Sequence, residues 1–216
     1  MSDDSTKEKI LVTAGPLFAR AGYQLATLRA ICNQADVNIA SVHYHFGDKE
    51  NLYVEAVRRA RQDQESKFPF FEASRSLSPE ARLRGFIRVL LSRLGIAGPT
   101  TWQVQLLVRE FMRPGEACRQ IVESYFRPYF EQLLTIVDGI AERELASHQR
   151  LMIGFSIIGQ CLHYRLARPI ISMFVNEQDF AKDFNLDALV EHISQFSLNA
   201  IRGIGDKAIC EPHKPQ

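Results

Sequence analysis

The sequence has almost no net charge: 26 lysines and arginines stand against 25 aspartates and glutamates, a formal +1. A protein that coats nucleic acid without regard to sequence draws its affinity from phosphate neutralisation and is strongly basic, so that class is excluded. Even residues 1–66 hold eight basic against nine acidic side chains. Cysteine is scarce and unpatterned, at 32, 118, 161 and 210 with no CxxC spacing, which rules out a disulfide framework and a zinc-ribbon arrangement. Cys210 and His213 amount to half a metal site at best, in a terminus (206–216) that reads as a mobile tail, and no metal is expected. Long apolar runs are missing too. The most apolar segment, 147–167, is interrupted by Gln160, His163 and Arg165, so no membrane span is expected. The opening MSDDSTKEKI is acidic and polar, unlike a signal peptide, and a cytoplasmic protein is expected. Glycine-rich phosphate loops are absent and no serine or cysteine has an evident base partner. His43 and His45, two apart, fall on different faces of a helix. Neither an enzyme nor a cofactor is implied.

What is present is helical periodicity. With 46% apolar and 24% charged residues, 216 residues suffice for one or two domains with a proper core, and strand alternation is sustained nowhere. The fold class is therefore all-α. A first helix is expected from Ser5 to Arg20, with Ile10, Leu11, Ala14, Leu17 and Phe18 spaced by three and four, stopped by Ala21-Gly22. Another begins at the capping Asp48 and runs into the mid 60s. Phe68-Pro69-Phe70-Phe71, with Ser76 to Pro79 after it, breaks the pattern and divides the chain into domains at 1–66 and 67–205. Helices are expected beyond it at about 79–95, 100–112, 115–145 with a bend near Pro128, 147–167 and 186–202.

Between the first helix and Asp48 lies the most informative stretch. Leu28 and Ile31 share one helical face, Val42 and Phe46 another, and the two faces can close on each other. Thr27 and Asn38 are N-caps for the two helices. Ala35-Asp36-Val37 makes the turn: a small residue for close crossing, an aspartate that tolerates a left-handed backbone, and a valine to plug the crevice. Two short helices at a steep angle also occur as plain structural hairpins. Here, however, the outer face of the second holds Ile39, Ala40, Ser41, His43 and Tyr44, short or tipped with hydrogen-bonding groups, as a major groove requires.

Gly22, Thr27, Ile31, Ala35, Val37, Val42-His43-Tyr44-His45-Phe46, Lys49-Glu50 and Leu52 together resemble the DNA-binding domain of the TetR family of bacterial transcription regulators. Asp36 departs from the pattern, which usually has glycine there. Farther on, Phe155 to Ile171 looks like a helix of the CecR-like subgroup. The resemblance implies an N-terminal helix-turn-helix domain, with the motif at about 27–46, followed by a helical effector-binding and dimerisation domain. It implies duplex DNA, an inverted-repeat operator, against Thr27, Arg29, Asn38, Ile39, Ala40, Ser41, His43, Tyr44 and Lys49. With no basic surplus, affinity rests on a few groups such as Arg29, Tyr44, Lys49 and helix N-termini aimed at phosphates.

For the C-terminal domain, the 147–167 helix is apolar on more than one side. Leu151, Phe155, Ile158 and Leu162 form a stripe, with Met152, Ile153, Gly159 and Leu166 beside it. That helix and 186–202, with Leu189, Ile193, Phe196, Leu198 and Ile201, read as half of a four-helix homodimer interface, where Gly154 and Gly159 let a partner approach; a central core helix is the plainer alternative. By resemblance, Trp102, Gln105, Arg109, Tyr125, Phe126, Tyr129, Phe155 and His163 are candidates to line a cavity for an apolar or amphipathic small-molecule effector, although aromatics at helical spacing also serve as plain packing. The function implied is a homodimeric repressor released by its ligand. A DNA-organising or protein-binding factor of the same fold is the alternative.

Overall fold

The computed structural model describes residues 3–69, 77–96, 98–112 and 122–204, and every element in them is helical. The helices are α1 (Asp3–Leu25), α2 (Leu28–Ala35), α3 (Ile39–Phe46), α4 (Lys49–Lys67), α5 (Pro79–Arg93) and α6 (Trp102–Met112). A single π-helical turn, Val122–Phe126, leads into α7 (Arg127–Ile140), then α8 (Ser147–Leu166), α9 (Arg168–Phe174), α10 (Glu177–Asp183) and α11 (Leu186–Gly203). The chain divides into two compact units, Met1–Pro69 with Arg93–Pro128, and Phe70–Ser92 with Tyr129–Gln216. The expected tail at 206–216 and the Tyr125 side chain lie outside the described residues.

The first unit is built on α1. Its stripe of Ile10, Leu11, Ala14, Phe18 and Ala19 is buried, as the spacing predicts. The expected stop at Ala21-Gly22 is a break inside α1: Gly22, with φ of 78° and ψ of 172°, kinks the helix in a conformation that suits glycine and little else, and the chain makes one more turn to Leu25. α4 contributes Leu52, Tyr53, Ala56, Val57 and Ala60 to the same core. Its Tyr53 ring stands edge-on to Phe18, with centroids 4.9 Å apart.

Placing α6 in this unit is the main departure from the expected 66/67 division. α6 packs along both α1 and α4. The Trp102 ring lies where a Cβ on Gly15 would sit 2.4 Å from it, so glycine is what admits the indole. Arg109 donates to the carbonyls of Arg20 at 3.4 Å and Ala21 at 3.2 Å, satisfying acceptors that the end of α1 leaves open. Tyr53 Oη donates to Oε1 of Glu110, a carboxylate only 2% exposed, and Gln103 donates to Asp63 at 2.9 Å.

The second unit buries Leu83, Phe86, Ile87 and Leu91 of α5, Leu133, Leu134, Ile136 and Val137 of α7, Ile153, Ile157 and Cys161 of α8, and Leu189, Val190, Ile193 and Ile201 of α11. Gly154 faces inward, its Cβ position 2.8 Å from Phe130, so it serves contact with α7 and not with a partner chain. Of the expected 115–145 helix, residues 115–121 lie outside the described residues; from Val122 a π turn leads into α7 ahead of Pro128, and α7 ends at Ile140. α9 and α10 are additional to the expected helices; each is only seven residues long and has no buried side chain. Burial pushes the Cys161 thiol up to about 12. A thiolate is the reactive form, so Cys161 should resist maleimide in the native protein and label on denaturation; mass spectrometry of the digested protein reads both. Rapid native labelling there would contradict this burial.

Candidate nucleic-acid interface

Three successive helices begin on side-chain caps that use the residues the sequence singles out. Thr27 Oγ1 accepts from the Ala30 amide at 3.1 Å, Asn38 Oδ1 from the Ser41 amide at 2.8 Å, and Asp48 Oδ1 from the Asn51 amide at 2.8 Å. Each bond satisfies an orphan donor and is worth about 1 kcal/mol. The turn between α2 and α3 passes through Asp36 in the left-handed conformation, with φ 49° and ψ 57°. Its amide donates to the Asn33 carbonyl at 3.4 Å and the next, Val37, to that of Cys32 at 3.1 Å. Lys9 lies 3.7 Å from the Asp36 carboxylate, so aspartate in the usual glycine position gains a contact from α1.

α3 is held by one face. Val42 and Phe46 are buried, and the His45 ring, with only 7% of its side chain exposed, places Nε2 3.6 Å from Asp3. Ile39, Ala40, His43 and Tyr44 form the opposite face, all exposed, Ile39 to 51% and Tyr44 to 75%. Singly exposed apolar side chains are ordinary on a protein surface; what this face offers is a short, open strip of the size a groove admits.

The nine candidate DNA residues thus divide. Ile39, Ala40, His43 and Tyr44 share the outer face of α3, and Arg29 is exposed on α2. Thr27 and Asn38 cap the N-terminal ends of α2 and α3, and Ser41, in the first turn of α3, donates to Asn38 Oδ1 through its amide at 2.8 Å and its hydroxyl at 3.0 Å. Lys49 donates to the Gln24 carbonyl at 3.4 Å and lies 4.6 Å from the Tyr23 ring centroid, and partial burial lowers its pKa. A lysine at a helix N-terminus opposes the helix dipole; here the carbonyl and the aromatic face offset that cost.

The eight candidate effector residues are not gathered in one unit. Trp102, Gln105, Arg109 and Phe126 belong to the first, where Trp102 packs on α1, Arg109 caps it, Gln105 is exposed and Phe126 stands edge-on to Phe111 at 5.9 Å. Tyr129, Phe155 and His163 belong to the second. There Phe155 stacks on Phe130 with centroids 4.5 Å apart yet remains 61% exposed, and His163 is exposed. The apolar faces of α8 also differ from the expected stripe: Ile153, Ile157, Cys161 and Leu162 turn inward, while Leu151, Met152, Phe155 and Leu166 remain exposed. A Cβ added at Gly159 would meet nothing. On α11, Phe196 is exposed. Among the described residues no three His, Cys, Asp or Glu side chains are placed to hold a metal, and no helix is long and apolar enough to cross a membrane.

Comparison with known proteins agrees with this arrangement in both halves. The profile of bacterial regulatory proteins of the tetR family matches residues 10–56, and that of the C-terminal domain of the HTH-type transcriptional dual regulator CecR matches residues 79–201. The CecR regulator of Shigella flexneri is 23% identical over 216 residues, covering 90% of this chain and 96% of that protein. The crystal structure of a TetR-like transcriptional regulator from Rhodococcus sp. RHA1 superposes with a TM-score of 0.64 at 15% identity, covering 94% of this chain and 97% of the other. AibR, crystallised with isovaleryl coenzyme A and operator DNA, superposes with a TM-score of 0.60 at 18% identity, covering 90% and 97%.

Proposed function

The chain belongs to the TetR family of bacterial transcription regulators, and from that premise we propose that it is a homodimeric repressor of an inverted-repeat operator, released by a small molecule. The observation that carries this reading is the exposed face of Ile39, Ala40, His43 and Tyr44 on a helix whose other face is locked into the first unit. Two such heads, one helical turn of DNA apart, fit a two-fold related site. The open apolar residues Met152 of α8 and Phe196 of α11, with Gly159 bare on α8, supply a surface for the second copy.

Ligand control enters through α6. This helix holds α1 through Arg109 and α4 through the Glu110–Tyr53 bond, so a conformer that moves α6 moves the base of the reading head with it. A ligand that binds that conformer better shifts the population toward it, and only the difference in affinity does the shifting. The complex of AibR with an acyl thioester of coenzyme A and DNA favours an effector with an apolar portion. In the second unit, Tyr129, Phe155 and His163 are the proposed effector contacts.

Phosphate contacts are assigned to Tyr44 and Lys49. Tyr44→Phe should weaken binding severalfold, and Lys49→Ala should lower the slope of log affinity against log salt by about one. Fluorescence anisotropy on the operator at several salt concentrations measures both. Unchanged affinity and slope in the two variants would remove these contacts from the account.

A further inference from the structure

The outer face of α3 carries one group whose hydrogen-bonding polarity the backbone sets. His43 Nδ1 lies 2.7 Å from the carbonyl oxygen of Gly47. A carbonyl oxygen has lone pairs and no proton, so Nδ1 must carry the hydrogen and donate it. The Gly47 amide returns a bond to the His43 carbonyl at 2.9 Å, tying the two residues together twice. Gly47 adopts φ 79° and ψ −61°, which glycine takes without strain, and in that conformation its carbonyl meets the ring.

A neutral imidazole holds one ring proton. Fixed on Nδ1, it leaves Nε2 with a lone pair, an acceptor on an exposed side chain. Each base edge in the major groove has a distinct pattern, and its amino donors are only adenine N6 and cytosine N4. Guanine N7 and O6, thymine O4 and the phosphate oxygens are all acceptors and would meet Nε2 lone pair to lone pair. The other exposed residues of this face do not impose such a choice: Ile39 and Ala40 have no polar group, and the Tyr44 hydroxyl both donates and accepts.

We infer that His43 Nε2 reads the exocyclic amino group of an adenine or a cytosine in the major groove, and so fixes one position of each operator half-site. This rests on α3 being the recognition helix. Gly47 is the positioning residue, since its carbonyl holds the tautomer.

Selections from random duplex DNA, run in parallel at pH 8, where an imidazole is ordinarily neutral, test the assignment. The unaltered chain should show one position per half-site enriched about tenfold in adenine or cytosine over guanine or thymine, the scale of one good hydrogen bond. His43→Ala should level that position and leave the others as they were, and His43→Arg, a donor only, should turn it toward guanine. Gly47→Ala, whose added methyl would meet only the Asn51 side chain at 3.6 Å but whose backbone is strained, should blur the same position with His43 still in place. Identical base preferences in the unaltered and His43→Ala chains, or an affinity loss spread evenly over all sequences, would overturn the assignment and make His43 a backbone contact. If the unaltered chain enriches no sequence, the recognition-helix reading itself falls and takes this assignment with it.

Discussion

Gly22→Ala is expected to cost the protein about 3–5 kcal/mol, a large share of the 5–15 kcal/mol that holds a folded chain of this kind together. Two effects add. The backbone at Gly22, φ 78° and ψ 172°, lies where only glycine is at ease, and forcing another residue there costs about 1–3 kcal/mol. A Cβ would also sit 2.2 Å from the Arg109 guanidinium, which must then give up its bonds to the Arg20 and Ala21 carbonyls, long and partly exposed contacts worth about 2 kcal/mol together. Denaturant unfolding should show the midpoint fall without a change of slope. An Arg109→Ala background separates the two effects: there the bonds are already gone and no guanidinium stands in the way, so Gly22→Ala should add only the backbone part of the loss. A Gly22→Ala protein within about 1 kcal/mol of the unaltered one would mean that α6 does not grip the end of α1 as described.

Met152→Glu combined with Phe196→Glu is expected to turn the protein monomeric and to abolish operator binding. Both side chains are exposed in the single chain, at 65% and 59%, so the substitutions should leave its unfolding midpoint nearly unchanged. In a two-fold interface each substitution counts twice. Losing about 1.5 kcal/mol of apolar burial at each of four places, before the cost of burying carboxylates, weakens association on the order of ten-thousand-fold. Sedimentation velocity at micromolar concentration reads the result. A variant that remains a dimer would move the interface away from α8 and α11.

How far the sequence alone carries varies along the chain with the locality of the interactions. The caps Thr27, Asn38 and Asp48, the left-handed Asp36 and the buried pair Val42 and Phe46 are all set within a few residues of themselves, and the structure places them as their spacing predicts, while the expected stop at Gly22 is a kink within α1. The role of α6 is not local. Arg109 and Trp102 read as walls of a pocket, because an arginine and an aromatic at helical spacing look alike whether they face a ligand or another helix. What decides is Gly15 and Gly22, some 87 residues away in sequence, whose missing side chains make room for them. Which face of α8 turns inward is not legible in the sequence for a related reason. With apolar residues on most sides, periodicity does not say which side turns inward, and Phe130 and Leu134 of α7 settle it by closing on Gly154. The short α9 and α10, at seven residues each, span only about two turns, too few for a helical period to show.

The central claim is that α3 of a two-fold dimer reads a defined DNA sequence, and selection of bound fragments from random duplex DNA by the purified protein tests it most directly. An enriched inverted repeat with half-sites about one helical turn apart is the expected result. Absence of any enriched sequence at low salt, from protein shown to be folded and dimeric, would contradict it.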